Sequence, residues 1–180
     1  MKVKLENVRL AFPVLFEAKS VNGEGDPAFS ANFLFSPTHP AAQAMRDAIE
    51  AVGKDKFGQK WTSVQKEILA KDRQCLHEGD TKSDYAGYAG NLFVSSRNKA
   101  RPTVIDRDKT PLTIADGRPY AGCYVNAIVE IWAQDNSYGK RINASLRGVQ
   151  FVADGEAFAG GGSASEDEFD ALNESAEGLV

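Results

Sequence analysis

The sequence predicts a mainly β fold: a small antiparallel barrel of the OB type with a helical insertion and a disordered acidic C-terminal tail, or failing that an α+β sandwich. Three observations carry this. Apolar residues alternate with a period of two near the start of the chain and again from residue 75 to about residue 152. Between Pro40 and about residue 72 the period lengthens to that of a helix. After Phe158 the composition breaks into AGGGSAS and then into acids. With 180 residues, 42% of them hydrophobic, the chain has the length and composition of one domain with an ordinary core and an appendage. The expected division is a folded domain over 1–158, its insert at about 40–72, and a Gly-rich linker with the tail over 159–180.

KVKLENVRLAF (2–12) reads as the first strand. Val3 and Leu5 share one face; Val8, Leu10 and Phe12 follow after a slip of phase at Glu6-Asn7, which a β-bulge explains. Pro13 limits its continuation as a central strand, because proline donates no ladder hydrogen bond. VNGEGDP (21–27) is a loop, and AFSANFLFS (28–36) is a second strand with Phe29, Ala31, Phe33 and Phe35 in one register. Pro40 then opens a helix in which Ala41, Ala44, Met45, Ala48, Ile49 and Val52 recur at helical spacing, and Gly53 ends it. KFGQKWTSVQKEILAK (56–71) continues helically, with Trp61 as a core anchor beside Val64, Ile68 and Leu69. NLFVSS (91–96), PTVID (102–106) and AGCYVNAIVEIWAQ (121–134) are further strands. RINASLRGVQFV (141–152) follows the turn DNSYGK (135–140), so these last two runs pair as an antiparallel hairpin. GDTKSDYAGYAG (79–90) and DRDKTPLTIADGRP (106–119) are long polar connections, where binding residues often sit.

The formal net charge of −4 averages two unlike parts. All 21 Lys and Arg lie in residues 1–152 with 17 of the 25 acids, which leaves that body at +4; the remaining eight acids follow it with no base among them. Such asymmetry suits a polyanionic partner for the body, an interaction tail, or both.

Catalysis finds no constellation of residues. The chain has no nucleophile elbow, P-loop, dinucleotide fingerprint or HExxH, so no catalytic residue and no cofactor are assigned. Asp106, Asp108 and Asp116 interleave with Arg107, Lys109 and Arg118, which weakens any cation site, and no metal is assigned. Cys75 and Cys123 are too few for a disulfide framework, and only His77 stands at a short spacing from either. His39 reads as a solvated loop residue and His77 as a loop or strand-edge residue. MKVKLENVRL is strand-like rather than a leader, and no apolar run is long enough to span a bilayer, so a reduced, cytoplasmic protein without a membrane role is expected.

Binding fits better. All five tyrosines and Trp132 fall within residues 85–138, interleaved with basic residues. Single-stranded nucleic acid needs rings on which bases stack, at roughly 1–3 kcal/mol each, and Lys or Arg along the phosphates. Strand alternation sorts the last hairpin: Cys123, Val125, Ala127, Val129, Ile131 and Ala133 point inward, as do Ile142, Ala144 and Leu146. Tyr124, Asn126, Ile128, Glu130 and Trp132 then face outward beside Arg141, Asn143, Ser145 and Arg147. Tyr85, Tyr88, Tyr124 and Trp132 are the stacking candidates, and Arg97, Lys99, Arg101, Arg141 and Arg147 the phosphate candidates. The competing reading packs Trp132 and Tyr124 under the helices or into a homodimer contact, and leaves the arginines as a solvated face.

Several stretches match a known family: NVRLAFPVLFEAK, LHEGD followed by YAGYAG, RPTVIDRDKTPL, GRPYAGCYVNAIVEIW and NASLRGVQFVADGEAF, covering most of residues 5–158 in order. On these the chain resembles phage-encoded single-stranded DNA-binding proteins. The resemblance implies an OB-fold with a helical insertion, binding to single-stranded DNA without strong sequence preference, and a role in phage replication or recombination in a bacterial host. The family commonly carries more glycines near the last strand, where this chain has KRINASLRG, and related tails often end in an aromatic residue, where this one ends in Leu179-Val180.

The tail is punctuated by apolar groups. Glu166, Asp167, Glu168 and Asp170 surround Phe169 and Leu172, a pattern that suits a docking segment better than a solubilising one. The tail is therefore expected to compete with DNA for the basic body and to recruit phage or host replication and recombination proteins, its tether keeping it concentrated there. A reading from another class makes the protein an assembly module that docks a basic partner through this tail without binding DNA.

Overall fold

The computed structural model describes residues 1–21, 23–158 and 169–172. Its order is β1 (Lys2–Val21), β2 (Glu24–Phe35), α1 (Pro40–Phe57), α2 (Trp61–Ala70), β3 (Leu76–Glu78), β4 (Leu92–Asn98), β5 (Thr103–Ile105), β6 (Tyr124–Asn136) and β7 (Gly139–Ala153). The sheet runs β3-β4-β2-β1-β6-β7-β5, and β4 also pairs with β7 in parallel at Arg97 and Ser145. That pairing closes β1, β2, β4, β7 and β6 into a five-stranded barrel of OB type, which removes the open edges of its principal strands. The seam is reinforced by irregular chain. Cys75 N–H donates to the Ile142 carbonyl (2.9 Å) on one side, and Ser95 N–H donates to the Cys75 carbonyl (2.9 Å) on the other.

The alternation holds. Val125, Val129, Ile131, Ile142 and Leu146 are buried to 1% exposure or less, opposite Leu5, Leu10 and Phe33. The slip at Glu6-Asn7 is a bulge: the β1–β6 register shifts between Leu5 and Val8, and Asn7 has φ 51°. β1 runs on past Pro13 to Val21, farther than expected. Beyond Leu10, which still exchanges hydrogen bonds with Cys123 and Gly122, its ladder partner is β2 alone, so Pro13 meets the one-sided environment it tolerates, within a second register shift between Ala11 and Val14.

α1 also extends beyond the expected end at Gly53, to Phe57. Gly53 serves packing instead: a Cβ there would run into the Trp61 ring. Trp61 is 2% exposed, stacks on Phe57 with centroids 6.1 Å apart, and donates its indole N–H to Glu50 Oε2 at 2.8 Å. It is the core anchor its spacing predicts. His39 is more than a solvated loop residue, since its Nδ1 accepts the Ala41 N–H (2.9 Å) and caps α1.

A smaller apolar cluster lies apart from the main core: Ala11, Leu34, Tyr88 and Phe93, with Phe158 packed against it. Residues 154–158 return across the barrel and are tied down by main-chain contacts. Phe158 N–H donates to the Ala121 carbonyl (3.1 Å), and Arg9 Nη2 donates to the Glu156 carbonyl (2.7 Å) under a cation–π contact of 4.3 Å with Phe158.

Candidate nucleic-acid interface

An open groove of about 1050 Å³ runs over the outside of β2 and β4, across the closing seam, to the β6–β7 hairpin. Its floor is polar because alternation sends Phe29, Ala31 and Phe33 inward and leaves Ser30 and Asn32 outward; on β4, Ser95 and Arg97 are outward in the same way. One wall is the β1–β2 arm with Lys19 and Asp26; the other carries Trp132, Gln134 and Arg141. In a five-stranded OB barrel, the second and third strands with the two flanking hairpin loops form the surface that takes oligonucleotides. Here those parts are β2, β4, the turn at Gly23 and the turn before Gly139.

Four of the sequence-predicted residues meet in this groove: Arg97, Lys99, Arg141 and Trp132. Trp132 is 43% exposed, with its indole N–H donated to Ser145 Oγ at 3.0 Å, which fixes the ring while leaving a face open. Lys99 is engaged by Asp26 (2.7 Å), whose backbone carbonyl also accepts from Arg97 Nη2 (3.0 Å). The hydrogen bond and charge of Lys99 hold the Asp26 carboxyl below its ordinary range.

The other candidates go elsewhere. Tyr88 is fully buried, its hydroxyl accepting from Asn32 Nδ2 at 2.7 Å, so it is a core residue and not a stacking platform. The Gly-rich loop around it reads as surface, but residues 79–91 fold back onto Leu34 and Phe93 and enclose the ring. Tyr124 is half-buried beneath Gly155, at whose position any added Cβ would press on the ring, with Arg9 5.8 Å away on its face. Tyr124 does not line the groove. Arg101 donates to the Phe16 carbonyl (2.7 Å) and lies over Phe29, stapling the β1 arm. Arg147 pairs with Glu130 at 3.1 Å and does not line the groove. Tyr85 is 51% exposed and also stands outside the lining. Of the tail candidates, Phe169, Asp170 and Leu172 are exposed, while Glu166, Asp167 and Glu168 lie outside the described residues.

Sequence patterns missed Lys19, Arg73 and His77, which line the groove from the arm and from the seam. Tyr138, 81% exposed at the hairpin tip, was visible only as one tyrosine among five. Arg73 had no signal, since chain that is neither strand nor helix has no periodicity to read, and His77 sits in a strand too short to show one. His77 stacks on Phe93 (4.7 Å) and bonds Asp72 through Nδ1 and Ser95 through Nε2, each at 3.0 Å. Because the carboxylate can only accept, Nδ1 carries the proton and Nε2 accepts in the neutral ring. Burial lowers its pKa, against the opposing pull of Asp72.

The acids of the 106–118 loop are occupied. Asp106 accepts from Arg118 (2.6 Å), Asp116 closes a capping box with Thr113, and Asp108 accepts from Thr110 N–H. Among the described residues no three His, Cys, Asp or Glu gather as a metal site, and no helix is long and apolar enough to cross a membrane.

The same fold is found in solved phage proteins. The single-stranded DNA-binding protein from bacteriophage Enc34, in complex with ssDNA, superposes with a TM-score of 0.75 at 27% identity, covering 88% of this chain and 89% of that one. The single-stranded DNA-binding protein gp2.5 encoded by bacteriophage T7 shares the fold at a TM-score of 0.58 and 13% identity, over 97% of this chain and 96% of that one. A putative protein, p50, of Acyrthosiphon pisum secondary endosymbiont phage 1 is 51% identical over 179 residues, covering 96% of this chain and 95% of its own length. The sequence profile of the family described as Enterobacter phage Enc34, ssDNA-binding protein, matches residues 1–180, and the chain belongs to that family.

Proposed function

We propose that this protein binds single-stranded DNA without sequence preference, in the groove between the β1–β2 arm and the β6–β7 hairpin, and serves phage replication or recombination by covering exposed strands. The observation that carries the reading is the convergence of Arg97, Lys99, Arg141 and an open Trp132 face on one polar groove. Cations there follow phosphates and the indole stacks on a base of any identity, so affinity falls with salt. The chemistry is binding rather than catalysis.

The acidic tail competes for the same groove and, once displaced by DNA, recruits replication or recombination proteins. Two features support this. Phe158, the last described residue before the linker, packs on Leu34 and Tyr88, and the Tyr88 hydroxyl bonds Asn32 on the groove floor. The tail therefore originates beside the groove it is proposed to occupy. Phe169 and Leu172, 72% and 89% exposed, are ready apolar contacts for a partner.

Titration with oligo-dT against a duplex control, following tryptophan fluorescence, tests the binding. Preferential quenching by the single strand at low salt is expected; equal affinity for both, or no binding, refutes it. Deleting residues 163–180 tightens binding most at low salt if the tail competes, and unchanged affinity rules the competition out.

A further inference from the structure

Phe12 has a backbone and an exposure that folding alone does not explain. It has φ 48°, a left-handed conformation disfavoured for a bulky residue, and its ring is 53% exposed. The register shift between Ala11 and Val14 turns it out of the barrel instead of into the core. Strained backbone presenting an apolar ring to water is a combination found where a side chain has a ligand. We propose that Phe12 and Tyr85 form a second stacking platform, which takes an unpaired base of the same DNA strand at the edge of the groove away from Trp132. This rests on the proposed binding of single-stranded DNA.

The geometry is that of a corner. The two rings lie 5.1 Å apart at 86°, so a base stacked on one face has its edge against the other ring. Tyr85 is 51% exposed, and the buried Tyr88 ring backs both, 6.1 Å from Phe12 and 5.8 Å from Tyr85. Tyr88 is in turn fixed by Asn32 at 2.7 Å. The corner is thus held by the core and not left to loop motion.

Its position makes it continuous with the groove. Phe12 lies on β1 between the register pairs Ala11–Asn32 and Val14–Ser30, and Asn32 and Ser30 both line the groove floor. Across the groove from β1 through β2, β4 and β7 to Trp132 on β6 is four strand spacings, roughly 19 Å along the barrel surface. One base on Trp132 and another on the Phe12–Tyr85 corner therefore do not compete, and the cations between them follow the intervening phosphates. A polar, cationic floor running up to the rings favours a nucleic acid over an apolar protein segment.

The test uses the full chain with Phe12→Asn, which tolerates left-handed backbone, Phe12→Tyr, and Tyr85→Ala. Phe12→Asn and Tyr85→Ala should each weaken oligo-dT binding by roughly 5- to 150-fold, the range for losing one stacked base, without changing the salt slope. Phe12→Tyr should restore affinity. Urea unfolding should show Phe12→Asn no less stable than the parent, and photo-cross-linking with iododeoxyuridine oligonucleotides should label Phe12 or Tyr85. Parental affinity in Phe12→Asn and Tyr85→Ala, with Trp132→Ala still impaired, overturns the platform and leaves the groove standing. A change in sedimentation with unaltered DNA binding also overturns it, assigning the corner to a second copy of the chain. A parent that does not bind oligo-dT fails the underlying reading instead.

Discussion

Replacing Asp26 with asparagine should improve DNA binding, and the structure sets the size of the effect. Five cations line the groove: Lys19, Arg73, Arg97, Lys99 and Arg141. Lys99 is neutralised by Asp26 at 2.7 Å, whereas the other four have no carboxylate partner among the described residues. Each phosphate neutralised on a single strand contributes about 0.7 to the slope of log affinity against log salt, so four contacts give about −2.8 and five about −3.5. Asp26→Asn keeps the size of the side chain and the backbone carbonyl that Arg97 uses, and releases Lys99 as the fifth. The pair is 74% exposed on both sides and adds little to folding, so stability should hardly move. The variant should bind oligo-dT more tightly at about 50 mM salt, and its advantage should shrink by about 2.6-fold on raising salt to about 200 mM. Fluorescence titrations at four or five salt concentrations measure both quantities. Unchanged affinity and slope would mean that Lys99 meets no phosphate, and weaker binding would mean that Asp26 itself holds the DNA.

Trp132→Ala should weaken oligo-dT binding by roughly 5- to 150-fold with the salt slope retained, because a stacking surface is lost and no charge. Since Trp61 is 2% exposed and Trp132 43%, quenching on binding should survive Trp61→Phe and vanish in Trp132→Ala. Gly53→Ala forces a methyl against the Trp61 ring and should lower unfolding stability by about 1–3 kcal/mol, read by urea denaturation, despite alanine's better helix propensity. His77 has a folded pKa below its ordinary 6.5, so the unfolded chain binds the extra proton on acidification. Its contribution to stability is whole above about pH 6.5 and is lost as pH falls toward the folded value; urea unfolding between pH 7.5 and 5.5 should show a decline that His77→Asn flattens. Burial pushes the Cys75 thiol up to about 12, so a thiol reagent should label it only upon unfolding.

Local pattern determined much of this molecule. Alternation alone sorted β6 and β7 into a core face and an outer face, and the phase slip at Glu6-Asn7 marked a bulge, because a pleated strand offers a side chain only two directions. Helical spacing located both helices and chose Trp61 as their anchor, and clustered rings and cations pointed to the ligand class proposed for the groove. Alternation says whether a residue faces out; it is silent on what another part of the chain lays over it. Tyr124 and Trp132 share one outward row of β6, yet Gly155 and Arg9 lie against the first while the second is 43% exposed. Tyr88 and Tyr85 sit three apart in one loop, yet only Tyr88 turns onto Leu34 and Phe93. The groove itself exists because β4 meets β7 at Arg97 and Ser145, with residues 73–75 bonded into the seam. Barrel closure of that kind joins segments distant in sequence, so their shared surface, and the cations Lys19 and Arg73 upon it, belong to the tertiary structure alone.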